Sequence, residues 1–173
     1  MGGVIIGSIT MPWNKPYHPA QNQRLDPLLY AQASRVYFIT IRAYRNQAPF
    51  VRSDLSQVVL SLLVEEQSRE KCAVFTYCLM PDHLHFLISP REDGASALTF
   101  TDRFKGRTTN QSWTVGWHGK LWQPRYYDHV VRTEESLLAI AEYILNNPVR
   151  KHLVGRAEDW PWSGHANPLP VWP

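Results

Sequence analysis

His83 and His85, separated by one residue, open the apolar, β-rich run His-Leu-His-Phe-Leu-Ile. Alternate side chains of a strand leave the same face, so both imidazoles project together while Leu84 and Phe86 turn the other way into a core. Two neighbouring imidazoles are half of a metal site. Two exposed polar residues on a half-buried strand give the same triplet, so the pair needs a third ligand and a reacting group before it means chemistry. Later in the chain, Tyr143 and Asn147 are four residues apart in a helical pattern, which puts them one turn from each other on one face. A phenol can serve as a nucleophile and an amide oxygen can ligate a cation. An amphipathic tyrosine at a core edge, beside an asparagine closing the helix, accounts equally for that spacing.

These residues need elements to hold them. Arg35 to Ile41 is β-branched and aromatic and reads as a first strand. Ser53 is placed to cap a helix, with Asp54 in its first turn and Leu55, Val58, Val59, Leu62 and Leu63 as its apolar stripe. Cys72 to Leu79 is a second strand, and Met80-Pro81-Asp82 a turn into the strand that starts at His83 and stops at Ser89-Pro90. A second helix is predicted over Ala95 to Arg107 and a last strand over Leu121 to Val131. Thr133 would cap a third helix with Glu134 and Glu135 in its first turn. Leu137, Leu138, Ala141, Ile144 and Leu145 would feed its core face, and Asn147-Pro148 would end it. The order β-α-β-β-α-β-α predicts an α+β fold: a ferredoxin-like antiparallel sheet with helices packed on one face.

With 173 residues, 44% hydrophobic and 19% charged, the chain suits one globular domain. The first thirty residues, rich in proline, asparagine and glutamine, read as an arm, leaving 31–173 as the single domain. The net charge of +3 is compatible with nucleic acid without deciding for it. Between Thr101 and Arg132, Arg103, Lys105, Arg107, Lys120, Arg125 and Arg132 face only Asp102 and Asp128. A basic surface for a phosphate backbone and an ordinary solvated face both fit that bias. Cys72 and Cys78 are too few for a zinc site or a disulfide framework and read as buried thiols. The Val4-Ile5-Ile6 start is no signal peptide and no apolar run spans a bilayer, so a cytoplasmic protein without a membrane partner is expected.

Five motifs then occur in order: Met80-Pro81-Asp82-His83-Leu84-His85-Phe86, Phe104-Lys105-Gly106, Leu121-Trp122-Gln123-Pro124-Arg125-Tyr126-Tyr127-Asp128-His129, Tyr143-Ile144-Leu145-Asn146-Asn147-Pro148-Val149-Arg150 and Trp160-Pro161-Trp162-Ser163. Together they resemble the REP-associated tyrosine transposases, among the single-tyrosine insertion-sequence transposases of the HUH endonuclease superfamily. The similarity runs from about Tyr37 to Ser163. It implies a ferredoxin-like core with His83 and His85 as ligands of a divalent cation, Mg²⁺ or Mn²⁺. It implies Asn147 as the polar third ligand and Tyr143 as the nucleophile on the C-terminal helix.

The implied reaction is cleavage of single-stranded, hairpin-bearing DNA through a 5′-phosphotyrosine with release of a 3′-hydroxyl. Lys105, Arg107, Arg125 and Arg132 are the candidate DNA contacts, and His129 matches a family position without a role. Relatives include monomers and dimers that exchange the tyrosine helix, so a homodimer stays open. A histidine-triad hydrolase would want a third histidine where Leu87 stands. A non-catalytic DNA-binding protein acting on palindromic repeats remains the alternative.

Overall fold

A computed structural model of the chain describes residues 26–132 and 136–171. The β-branched and aromatic run after Val36 forms β1 (Tyr37–Arg42). The helically spaced apolar residues that follow form α1 (Ser53–Arg69). Ser53 is the first helical residue rather than the cap; Arg52 takes the cap position without a side-chain bond. β2 (Cys72–Met80) and β3 (His83–Pro90) make the expected hairpin, with Met80 opposite His83 across Pro81 and Asp82.

α2 (Ala97–Thr114) runs seven residues past its predicted end. Threonines and serines are poor helix formers because their hydroxyls compete for the backbone. Here the hydroxyls return to the helix itself: Thr108 donates to the Phe104 carbonyl at 2.7 Å and Thr109 to that of Lys105 at 2.8 Å. The Trp122 indole N–H donates to Thr108 Oγ1 at 2.7 Å, so the polar stretch is satisfied from both sides. β4 (Tyr127–Val130) is shorter than predicted. Among the described residues, the preceding segment forms only an isolated Ala43–Trp122 bridge, and Pro124 has no N–H for a ladder.

The helix carrying the tyrosine is α3 (Leu137–Leu145), capped by Ser136, whose side chain accepts from the Ala139 N–H at 3.2 Å. The residues expected to start it, Thr133, Glu134 and Glu135, lie outside the described ones, as does the chain start at Val4-Ile5-Ile6. The chain turns at Asn146 and makes one further helical turn, α4 (Asn147–Arg150), instead of leaving the helix at the proline. β5 (Ser163–His165), absent from the predicted order, pairs with β2. It is held by Trp160, whose indole N–H donates to the Leu79 carbonyl at 3.0 Å, and by the Leu79 N–H to Trp162 carbonyl bond at 2.8 Å.

The sheet is antiparallel in the order β4-β1-β3-β2-β5, a ferredoxin-like core with one added edge strand. α1 and α2 pack on one face against Tyr37, Ile39, Ile41, Leu84, Phe86 and Ile88. α3 lies on the other face, where Leu137, Ile140, Ala141 and Ile144 meet Phe38, Phe75, Cys78 and Leu87. The expectation of helices on one face thus holds for α1 and α2, and the third helix covers the opposite side. Leu138, expected in its core stripe, is 60% exposed. Residues 26–30, the end of the expected arm, belong to the domain. Tyr30 is buried, stacks on Tyr37 and bonds to Asp128 from a short 3-10 helix, Pro27–Ala31. Among the described residues, no helix is long and apolar enough to cross a membrane.

Arg107 joins α2 to α1 through Glu66, which is 1% exposed, and Glu65 at 3.0 Å. Truncating it would leave the Glu66 carboxylate buried without its cation. Arg107→Ala is therefore expected to cost about 3 kcal/mol in urea unfolding, whereas Arg125→Ala, on an exposed connecting segment, should cost under about 0.5 kcal/mol.

Candidate functional site

On β3 the alternation places His83, His85 and Leu87 on the α3 face. The register with β1 sets His83 opposite Arg42, His85 opposite Thr40 and Leu87 opposite Phe38. Both histidines are nearly closed off, 7% and 8% exposed. Each ring is fixed through Nδ1. His83 Nδ1 lies 2.6 Å from Asp82 Oδ1 and His85 Nδ1 lies 2.8 Å from Thr40 Oγ1. The two Nε2 atoms converge to 2.9 Å, with the rings edge to face at 4.5 Å. At that separation two ring nitrogens either share a proton or share a cation. Outer partners on Nδ1 with both Nε2 atoms turned inward are what orient imidazole ligands.

The electrostatics favour a neutral His85 ring with a lone pair to give. Burial holds His85 well below the ordinary histidine range, with the charges of His83, Arg42 and Arg150 adding to the effect. The hydrogen bond from His83 keeps the Asp82 carboxyl below its ordinary range against the opposing cost of burial. Arg42 approaches the same carboxylate at 3.9 Å.

α3 brings the tyrosine to this face. The Phe38 ring stands between them, 5.5 Å from the His85 ring and edge-on to Tyr143 at 6.4 Å. Arg150 on α4 lays its guanidinium over the Tyr143 ring at 4.5 Å. Asn147 is buried, and its amide nitrogen donates to the Tyr143 carbonyl at 3.0 Å and to that of Ile144 at 3.4 Å. That is the helix-closing role the spacing allowed, and it engages the NH₂ of the side-chain amide. Tyr127 and His129 pair with Thr40 and Phe38, so they share the histidine face on β4.

The basic residues expected on DNA divide. Lys105 and Arg107 belong to α2, across the sheet from the histidines. Lys105 donates to the Pro124 carbonyl at 2.8 Å and sits over the Tyr126 ring, which pins the segment before β4. Arg107 pairs with Glu65 and Glu66 of α1. Arg125 and Arg132 are exposed at the two ends of β4.

The family model described as Transposase IS200 like matches residues 31–147. The chain belongs to this IS200-like transposase family. A Haemophilus influenzae protein named as a REP-associated tyrosine transposase is 30% identical over 96 residues, 50% of this chain and 54% of that one. The chain thus spans about half the length of that relative. The Escherichia coli REP-associated tyrosine transposase is 22% identical over 73% of this chain and 74% of its own. A solved REP-associated tyrosine transposase bound to a REP hairpin shares the fold, with a TM-score of 0.67 over 78% of both chains at 19% identity.

The sequence singled out His83, His85, Tyr143 and Asn147; it did not single out Thr40, Asp82, Arg42 and Arg150, which the structure places around them. Asp82 was within reach as the neighbour of His83. Thr40 and Arg42 required the β1–β3 register, and Arg150 required the extra turn of α4.

The suppressed basicity of His85 makes folding sensitive to acid. Below the ordinary histidine value of 6.5 the unfolded chain takes up a proton that the folded chain refuses. Stability is therefore expected to fall with acid by up to about 1.4 kcal/mol per pH unit from this group. Urea titrations between pH 7 and 5 should show a shallower slope for His85→Asn; an equal slope would assign the acid sensitivity elsewhere.

Proposed function

We propose that this transposase-family chain is a metal-dependent single-strand DNA endonuclease and strand transferase. Tyr143 is the nucleophile, and His83, His85 and the Asn147 amide oxygen hold a divalent cation, Mg²⁺ or Mn²⁺. The observation that carries the reading is the convergence of two buried Nε2 atoms at 2.9 Å, each ring locked through Nδ1. Two ring nitrogens converging to 2.9 Å, each ring held by an outer partner on Nδ1, are the atoms that would hold such an ion. An imidazole pair with an amide oxygen is a mixed nitrogen–oxygen donor set suited to Mn²⁺, with Mg²⁺ favoured by abundance. A cation held there would neutralise and polarise a phosphodiester.

The chain's own residues supply the rest. Arg42 and Arg150 bring positive charge to the histidine face, which draws in an anionic phosphate. Arg150 over the Tyr143 ring and Phe38 at its edge restrict where the phenol can point. The phenol loses its proton to solvent and its oxygen bonds to phosphorus. The bond to the 3′-oxygen breaks, and that oxygen leaves with the electron pair and is protonated. The product is a 5′-phosphotyrosine and a free 3′-hydroxyl, and the retained ester allows rejoining to another 3′ end without ATP.

Single-stranded DNA suits the near-closed histidines, because a flexible strand can bring a phosphate under α3 where a stiff duplex cannot. The REP hairpin on the related solved transposase supports a hairpin-bearing substrate here.

Incubation with a labelled single-stranded hairpin and Mn²⁺ should give a covalent adduct on a denaturing gel that Tyr143→Phe abolishes. His83→Ala and His85→Ala should each lose at least about a thousandfold in cleavage while keeping hairpin affinity within about threefold. Normal cutting by either histidine variant would remove them from the site. Tight hairpin binding with no adduct under any divalent metal would make the chain a non-catalytic DNA-binding protein.

A further inference from the structure

Several cations of the described surface have a carboxylate partner: Arg52 has Asp54, Lys71 has Glu92, Arg103 has Glu70, Arg107 has Glu66 and Arg156 has Glu158. Arg45 and Lys120 meet instead on one ring: the Arg45 guanidinium is 5.3 Å and the Lys120 ammonium 5.5 Å from the centroid of Tyr44. Both cations are exposed. The backbone is built to bring them together. The Tyr44 N–H donates to the Leu121 carbonyl and the Gln123 N–H to the Arg42 carbonyl, both at 2.9 Å. The Gln123 side-chain amide donates to Asn46 Oδ1 at 3.1 Å. Arg45 and Asn46 both adopt left-handed backbone, φ 53° and 56°, a conformation that disfavours residues bearing a Cβ and that gathers at functional positions.

The cluster is continuous with the histidine face. Arg42, opposite His83, is followed by extended, buried Ala43 and then Tyr44. Extended backbone keeps the alternation, so Tyr44 leaves the chain on the side of Arg42. Two like charges gathered on one aromatic ring call for an anion, and the ring itself offers a surface for a base.

We propose that Tyr44, Arg45 and Lys120 form a phosphodiester-binding site for the single strand that runs out of the histidine site. The proposal rests on the reading that the chain cuts single-stranded DNA there, and it assigns the loop after β1 as the next contact along that strand. The site holds backbone charge and stacks without reading sequence.

The test is the affinity of the full chain for a single-stranded oligonucleotide, followed by fluorescence anisotropy across a salt series in a Tyr143→Phe background. Arg45→Gln with Lys120→Gln should weaken binding about tenfold and make the log Kd against log salt slope shallower by about 0.7 for each phosphate no longer neutralised. Tyr44→Phe, which keeps the ring, should bind as the parent does, and Tyr44→Ala should resemble the double variant. An unchanged slope and affinity in the double variant, with the fold intact by circular dichroism, would overturn the proposal. Adduct formation by otherwise wild-type protein separates this from the catalytic reading. An adduct with an unchanged slope sinks this site alone, and a changed slope with no adduct sinks the nuclease alone.

Discussion

A strand buried on both faces cannot leave a polar group idle, and β3 carries two imidazoles. The apolar residues of that strand are placed by packing: Leu84, Phe86 and Ile88 against α1 and α2, Leu87 against α3. The histidines instead take their places from hydrogen bonds, Asp82 on one Nδ1 and Thr40 on the other. What remains is one pair of nitrogens aimed at each other. A buried unsatisfied polar atom costs roughly 1–3 kcal/mol, and a proton or a cation shared between these two nitrogens would satisfy both. The β1–β3 register is the constraint on which it depends, because a slip of one residue would send both rings into the α1–α2 core.

The two faces of the sheet divide the labour accordingly. The α1–α2 side holds the larger aromatic cluster, with Phe86, Phe100, Phe104 and Trp122 linked by ring contacts and the Glu66–Arg107 pair closing the layer. That side is a packing layer. The α3 side is thinner and mixed: Phe38, Cys78, Met80 and Leu87 make an apolar floor, and the histidines, Thr40, Tyr127 and His129 fill the end nearest α4 and β4. Cys78 belongs to the floor; burial pushes its thiol up to about 12, which keeps it protonated and inert.

Periodicity made the core legible in the sequence. The stripe Leu55, Val59, Leu62, Leu63 and the alternation Leu84, Phe86, Ile88 pointed to α1 and β3, and with them to the shared face of His83 and His85. Three things escaped for identifiable reasons. The end of α2 is polar, and its helicity rests on hydroxyl-to-carbonyl bonds that propensity counts against it. β5 is three residues long and owes its place to two tryptophans on either side of the sheet edge, Trp160 toward α3 and Trp162 toward α1. The side on which the third helix packs is a tertiary choice, and an amphipathic stripe reads the same on either face of a sheet.

That last choice decides whether the residues can act together. Had α3 packed beside α1 and α2, Tyr143 and the histidines would lie on opposite faces of the sheet. It is held where it is by Leu137, Ile140 and Ile144, whose burial is worth on the order of 5 kcal/mol and whose partners are side chains of β1, β2 and β3. The apolar stripe thus fixes the axis, and the residues one step off that stripe, Tyr143 and Asn147, come to rest at the polar end of the floor. Phe38 then keeps the phenol and the imidazoles one ring apart. The spacing of Tyr143 from the histidines is therefore set by ordinary hydrophobic packing, and a change to Phe38 or Ile144 would alter that spacing without touching Tyr143, His83 or His85.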